Sequence, residues 1–261
     1  MDIKMIVFDL DDTLLRNDKT VSERTTRALL KCRDKGIKIV YATGRGQSAQ
    51  QIVSPDLFDG YSQMCGAVAY IGENPVYRKL ISTVYVRELL LAADKVKMQI
   101  AVELEDAHYS NFNFPEEWGP DFQDRFFITD FNTLDIEAEK IWAMPKNETE
   151  LELLIKHLPK GLRLTTSRHD NFTMILHEDS SKANAVAALA NHWGINSTEI
   201  VAFGDDIIDI CMLQYCGTGV AMENAVDELK AVADYICDTN ENDGAAKWIE
   251  EYVLGDCKPS S

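Results

Sequence analysis

Two rhythms of apolar and polar positions run along this chain, and the rhythm changes twice. Residues 4–9 (KMIVFD) form a short continuous apolar run ending in an acid, the pattern of a strand covered on both faces. Ser22 stands as an N-cap before a helix that runs to Gly36, with Ala28, Leu29 and Cys32 on its inner face. IKIVYA (37–42) is a second apolar strand and ends at Thr43-Gly44-Arg45. A helix and a further strand near Tyr61–Cys65 follow. Strand, helix, strand, helix, strand predicts a parallel sheet with helices on both faces.

After about Lys79 the pattern shifts. Residues 83–97 read as an amphipathic helix, followed by two β-like runs, IAVELE and AHYSNF. A Pro- and aromatic-rich stretch (114–131, with Trp118, Phe122, Phe126 and Phe127) precedes KIWAM, a helix over 147–158, and the runs LRLTTS and FTMILH. Strands here follow strands at hairpin spacing, so this segment is α+β. From Ser181 the first rhythm returns: a capped helix ending at Gly194, the strand EIVAFGDD, a helix, the strand TGVAM, a helix over 224–233, a short strand DYIC and a last helix over 245–253. The fold class expected is α/β: a Rossmann-like parallel-sheet core (1–81 and 180–261) with an inserted α+β domain (82–179). The tail after Gly255 is expected to fray.

Composition narrows the functions. The net charge is −17 over 261 residues, which argues against nucleic acid as the main partner and leaves room for a small phosphorylated ligand met by a local cation. No run reaches the ~18 apolar residues of a membrane span, and no secretion signal precedes the first strand. The six cysteines are scattered without a CxxC pair, so they read as reduced thiols of a cytoplasmic protein. Five histidines without metal spacing argue against zinc.

Ligands of open parallel sheets sit beyond the carboxyl ends of the strands. Here one strand ends in Asp9-Leu10-Asp11-Asp12-Thr13, the next in Thr43-Gly44-Arg45, and a later one in Gly204-Asp205-Asp206 with Asp209 a turn on. Lys182 opens the helix after the insertion. Side chains of extended backbone alternate, so Asp9 and Asp11 are expected to face one spot. An oxygen-only set of carboxylates suits Mg²⁺. Asp9 can then attack phosphorus, Asp11 can handle the proton, Thr43 can bond a phosphoryl oxygen, and Lys182 can neutralise developing charge.

These residues resemble the haloacid dehalogenase-like superfamily of phosphatases. DLDDTL is similar to its first motif (DxDxT), Thr43 to its second, Lys182 to its third and GDDIID to its fourth (GDxxxD). The insertion resembles the large α/β cap of the Cof-like branch, subclass IIB. The resemblance implies a Mg²⁺-dependent phosphohydrolase of sugar phosphates or other small phosphometabolites. It implies Asp9 as nucleophile and metal ligand, and Asp11 as acid/base that binds metal through its backbone carbonyl. Asp205 would be a direct metal ligand and Asp209 its support. Thr43, Gly44, Arg45 and Lys182 would hold phosphate, with Asp206 and Asn224 as further candidates. A phosphosugar mutase on this scaffold and a non-catalytic receiver-like regulator are the competing functions.

Four positions depart from the family pattern. Asp12 replaces a Gly, Ala183 follows Lys182 where Gly is frequent, and Cys65 and Ile208 stand where Asn is frequent. Simpler readings stand beside the functional ones. Asp12 fits a solvated turn, Asp206 a first-turn acid favoured by the helix dipole, and Arg45 a surface ion pair. The 112–131 aromatics fit a cap core better than a substrate platform. Glu103, His108 and Arg168 are cap residues that could meet a substrate.

Overall fold

The first apolar run forms β1 (Met5–Phe8), whose four residues are all buried. Successive strand side chains point to opposite faces, so β1 must be covered on both. The computed structural model describes residues 2–46, 48–105, 107–113, 125–166 and 173–255. It divides into two compact units, one of 1–78 with 181–261 and one of 79–180.

In the first unit, Ser22 caps α1 (Glu23–Asp34) by accepting from the amide of Thr25. Then come β2 (Lys38–Ala42), the short α2 (Ser48–Ile52) and β3 (Gly60–Gln63). A hairpin absent from the sequence reading follows: β4 (Val68–Ile71) and β5 (Asn74–Arg78).

The second unit holds α3 (Thr83–Lys95), β6 (Gln99–Leu104), β7 (Ala107–Ser110), β8 (Phe126–Ile128), β9 (Lys140–Met144), α4 (Glu148–Lys156), β10 (Leu162–Thr166) and β11 (Thr173–His177). Among the described residues its six strands run in the order β10-β11-β9-β6-β7-β8. All neighbours are antiparallel except β7 and β8. Ile100, Val102, Ile141 and Ile175 pack with Val86, Leu89 and Leu90 of α3 and Leu154 of α4. The alternate residues Ala101 and Trp142 pack instead with Phe112, Phe126 and Met174. Trp118, Phe122 and Arg168 lie outside the described residues, as does the tail after Gly255.

The chain then returns to the first unit. It adds α5 (Lys182–Trp193), β12 (Ile200–Gly204), α6 (Ile210–Tyr215), β13 (Thr218–Ala221), α7 (Asp227–Lys230), β14 (Tyr235–Ile236) and α8 (Gly244–Ile249). Eight strands line up as β14-β13-β12-β1-β2-β3-β4-β5. The first six are parallel, and β4 and β5 extend the edge antiparallel. Helices cover both faces: α1 packs with α8, and α5 with α6. The helix expected over 224–233 shrinks to four residues because the amide of Val226 bonds the carbonyl of Asp205, tying this stretch into a turn.

Candidate active site

Pairing of β1 with β12 in parallel, Phe8 beside Phe203, puts the ends of both strands together. Asp9 continues the ladder, its amide bonding the carbonyl of Phe203 at 2.9 Å. Asp9, Asp205 and Asp209 thus offer carboxylate oxygens within 4.8 Å of one another, all three residues buried. Lys182, 1% exposed, sends its Nζ to Oδ1 of Asp9 at 2.6 Å and to Oδ1 of Asp209 at 2.5 Å. Ser181 caps the helix that starts at Lys182, accepting from the amide of Asn184.

Close approach fixes the neighbours. A Cβ on Gly204 would stand 2.6 Å from that of Asp209. Glycine there lets Oδ2 of Asp209 accept from the amides of Asp205 and Asp206, both at 3.1 Å. Asp206 turns its own carboxylate to the amide of Ile207 at 2.7 Å, which is a helix cap. Thr43 is buried at the end of β2 and its Oγ1 accepts from the amide of Arg45. Gly44 lies against Cys65, whose Sγ would be 3.4 Å from a Cβ there.

Asp11 departs from the strand-alternation argument. The strand ends at Phe8 and the chain winds into a tight turn over Leu10–Leu14, so period-two facing no longer applies. Asp11 falls outside the three-acid group. Its carboxylate is forked by Arg45, Nε to Oδ2 at 2.5 Å and Nη2 to Oδ1 at 2.7 Å, and meets Lys19 at 2.8 Å. Partial burial works to raise this carboxyl, but the Arg45 and Lys19 bonds and charges overcome it and hold it at about 2. Asp12 has φ 58, a left-handed conformation that suits the glycine usual in the family and that aspartate tolerates better than most residues.

Electrostatics mark the cluster as short of positive charge. Burial, with the charge of Asp209, pushes Asp9 above the ordinary carboxylate range despite Lys182. Burial, Asp9 and Asp209 push Asp205 up as well, against the hydrogen bond from Thr13. Burial works to lower the Lys182 ammonium, yet Asp209 and Asp9 more than reverse it. Three buried carboxylates face one ammonium, and all donors are oxygen, which fits a divalent cation. Both Asp209 oxygens are engaged, by Lys182 and by backbone amides. Asp9 and Asp205 each have one oxygen on a side chain, Lys182 or Thr13, and a second oxygen beside it.

Residues 6–249 match the sequence profile of a family described as haloacid dehalogenase-like hydrolases. The chain belongs to that family. It is 33% identical over 264 residues to a Bacillus subtilis protein named 5-amino-6-(5-phospho-D-ribitylamino)uracil phosphatase YcsE, covering 97% of each chain. It is 30% identical to the putative phosphatase YxeH of the same organism, covering 96% of this chain and 98% of the other. Among solved structures, the phosphatase BT1666 from Bacteroides thetaiotaomicron superposes with a TM-score of 0.82 at 28% identity, over 95% of this chain and 94% of that one. The subclass IIB sugar phosphatase BT4131 superposes with a TM-score of 0.81 at 26% identity, over 95% and 98%. The chain is an enzyme of this phosphatase class.

Two residues of this site, Thr13 and Gly66, have roles that the sequence pattern did not assign, and a third, the candidate Asn224, sits elsewhere than expected. Thr13 lies inside the first motif and donates its hydroxyl to Oδ1 of Asp205 at 2.6 Å. Gly66 has φ 86 and packs so closely on Ser181 that a Cβ would stand 2.1 Å from the carbonyl atoms. Its one signal was the glycine itself, following Cys65. Asn224 donates to the carbonyl of Asp12 at 2.7 Å rather than entering the acid group.

Proposed function

We propose that the protein is a Mg²⁺-dependent phosphohydrolase of small phosphomonoesters, sugar phosphates among them, acting through an aspartyl-phosphate on Asp9. The observation that carries this is Lys182 bridging Asp9 and Asp209, buried, beside Asp205. Asp9 and Asp205 would hold the cation, with Asp209 fixing Lys182 and the backbone around Asp205. When bound, the cation would neutralise the carboxylates and the phosphoryl oxygens.

Under this reading, a carboxylate oxygen of Asp9 attacks phosphorus while the ester P–O bond breaks. Lys182 favours the ionised form of Asp9 and orients it. Thr43, Gly44 and Arg45 hold the phosphoryl oxygens, and release of Arg45 to the phosphate frees Asp11 to take up a proton. Asp11 gives that proton to the leaving oxygen, then takes one from the water that attacks the aspartyl-phosphate. Inorganic phosphate leaves and Asp9 is restored. The 79–180 unit is the cap that sets substrate choice. The named activity of the YcsE relative makes a phosphorylated ribityl-pyrimidine one candidate, alongside hexose and pentose phosphates. Free thiols at Cys32, Cys211, Cys216 and Cys237 support a cytoplasmic setting.

The test is hydrolysis of a panel of sugar phosphates, nucleotides and the ribityl-pyrimidine phosphate with Mg²⁺, repeated with Asp9→Asn. Mg²⁺-dependent phosphate release that vanishes in Asp9→Asn is expected, with a phosphorylated Asp9 trapped by acid quench and mass spectrometry. No turnover across the panel would sink the reading. Isomerised phosphosugar in place of free phosphate would identify a mutase.

A further inference from the structure

Near the C-terminus the stretch TNENDG (239–244) carries polar side chains that take no part in the chemistry above. Asn240 is buried there, at 7% exposure, and both its backbone and its side chain are engaged. Its Nδ2 donates to the carbonyl of Leu15 at 3.0 Å, and its amide donates to Oδ1 of Asn224 at 3.1 Å. With its oxygen held this way, Asn224 turns Nδ2 to the carbonyl of Asp12 at 2.7 Å. Two outer links run in parallel: the amide of Asn17 to Glu241 at 2.6 Å, and Arg16 to Asp243 at 2.8 Å.

The turn so gripped is the one that joins β1 to the rest of the chain, and it needs gripping. Asp12 is left-handed, which costs an L-residue free energy that surrounding contacts must offset. Thr13 comes next, and its hydroxyl sets one oxygen of Asp205. Asn240 holds the carbonyls on both sides of Thr13, Leu15 directly and Asp12 through Asn224. A buried residue whose side-chain amide and backbone amide are both committed to one turn is a geometric constraint on that turn.

We propose that Asn240 is a positioning residue for the acid cluster, acting through Thr13 on the carboxylate of Asp205. The inference rests on the reading of that cluster as a Mg²⁺ site. Residues that orient metal ligands from behind shift metal affinity or activity by about ten- to a hundredfold when removed.

Mg²⁺ binding to the full chain is measured by titration calorimetry for the unsubstituted protein, Asn240→Ala, Thr13→Val and the double variant. Alanine is chosen because a new carboxylate would itself alter cation affinity. Asn240→Ala is expected to weaken Mg²⁺ binding about tenfold. In the Thr13→Val background it is expected to add less than about twofold, since the path is already cut. Asn240→Ala cuts the side-chain bond to Leu15 and leaves its backbone amide on Asn224; should it fail to fold, Asn224→Ala, at an exposed position, cuts the other link, to Asp12, and is expected to show the same dependence on Thr13. Unchanged Mg²⁺ affinity with only a lower urea midpoint overturns the inference, as does an equal loss in both backgrounds. If the unsubstituted protein binds no Mg²⁺, the metal reading fails and the inference fails with it.

Discussion

Gly66→Ala separates two effects that glycines usually combine. A methyl group at Gly66 would stand 2.1 Å from the carbonyl carbon and oxygen of Ser181 and 2.6 Å from the amide of Lys182. Ordinary contact begins at 3.4 Å, so the backbone must give by more than 1 Å. The obstructing atoms are backbone, and no side-chain rotation relieves them. The left-handed conformation, φ 86, adds about 1–2 kcal/mol for an L-residue. Forced displacement in a packed region adds about 1–3 kcal/mol. Gly36 serves as the control: its φ is 81, but no heavy atom lies within 4 Å of its missing Cβ. Gly36→Ala should therefore lose only the conformational ~1–2 kcal/mol and keep its kcat. Gly66→Ala should lose roughly 2–5 kcal/mol in urea denaturation. It should also lose about a hundredfold in kcat on a generic aryl phosphate, because Lys182 is pushed off Asp9 and Asp209. Equal stability losses with kcat intact in both variants would refute the argument that Gly66 seats Lys182.

Three further outcomes are expected. Without divalent cations, unfolding free energy should fall as pH rises from about 5 to 8, because Asp9 and Asp205 bind protons more tightly folded than unfolded and the folded state therefore loses more on ionising. Mg²⁺ should flatten that slope, and a metal-free stability that climbs over the same window would contradict the electrostatics. Glu103 is buried between Lys140 and His108; burial opposes its ionisation, but their charges win and hold it at about 2. Its stabilisation is present above its unfolded value and lost as pH falls toward 2, and Glu103→Gln should cost about 3–5 kcal/mol at pH 7 by urea denaturation. Asp12→Gly should retain activity and fold at least as well, whereas Asp12→Val, branched at a left-handed position, should lose about 2 kcal/mol or more; equal midpoints for the two would show the turn is not strained.

Strands β1, β2 and β12 were legible because a strand covered on both faces must be apolar throughout. The hairpin β4–β5 was not. β5 is an exposed edge strand, and its Pro75 reads as a strand breaker although an edge tolerates it. At the site, Asp9, Lys182, Asp205 and Asp209 could be placed because strand ends converge at fixed positions. The direction of Asp11 depended on a turn with φ 58 at Asp12, which no periodicity encodes. Asn240 lies 225 residues from Leu15, its partner, and nothing local announces that pairing.

The order of the eight-stranded sheet also sets a schedule. β1 gains β2 soon after it is made, but its other edge waits for β12, 195 residues later by the pairing of Met5 with Ile200. At translation rates of about 5–20 residues per second, that edge stays open for roughly 10–40 s. Residues 79–180 form a contiguous unit and can fold within the interval. The nascent chain thus carries five of the eight strands of this sheet, with Asp9 already made and a bare strand edge beside it, until β12 emerges.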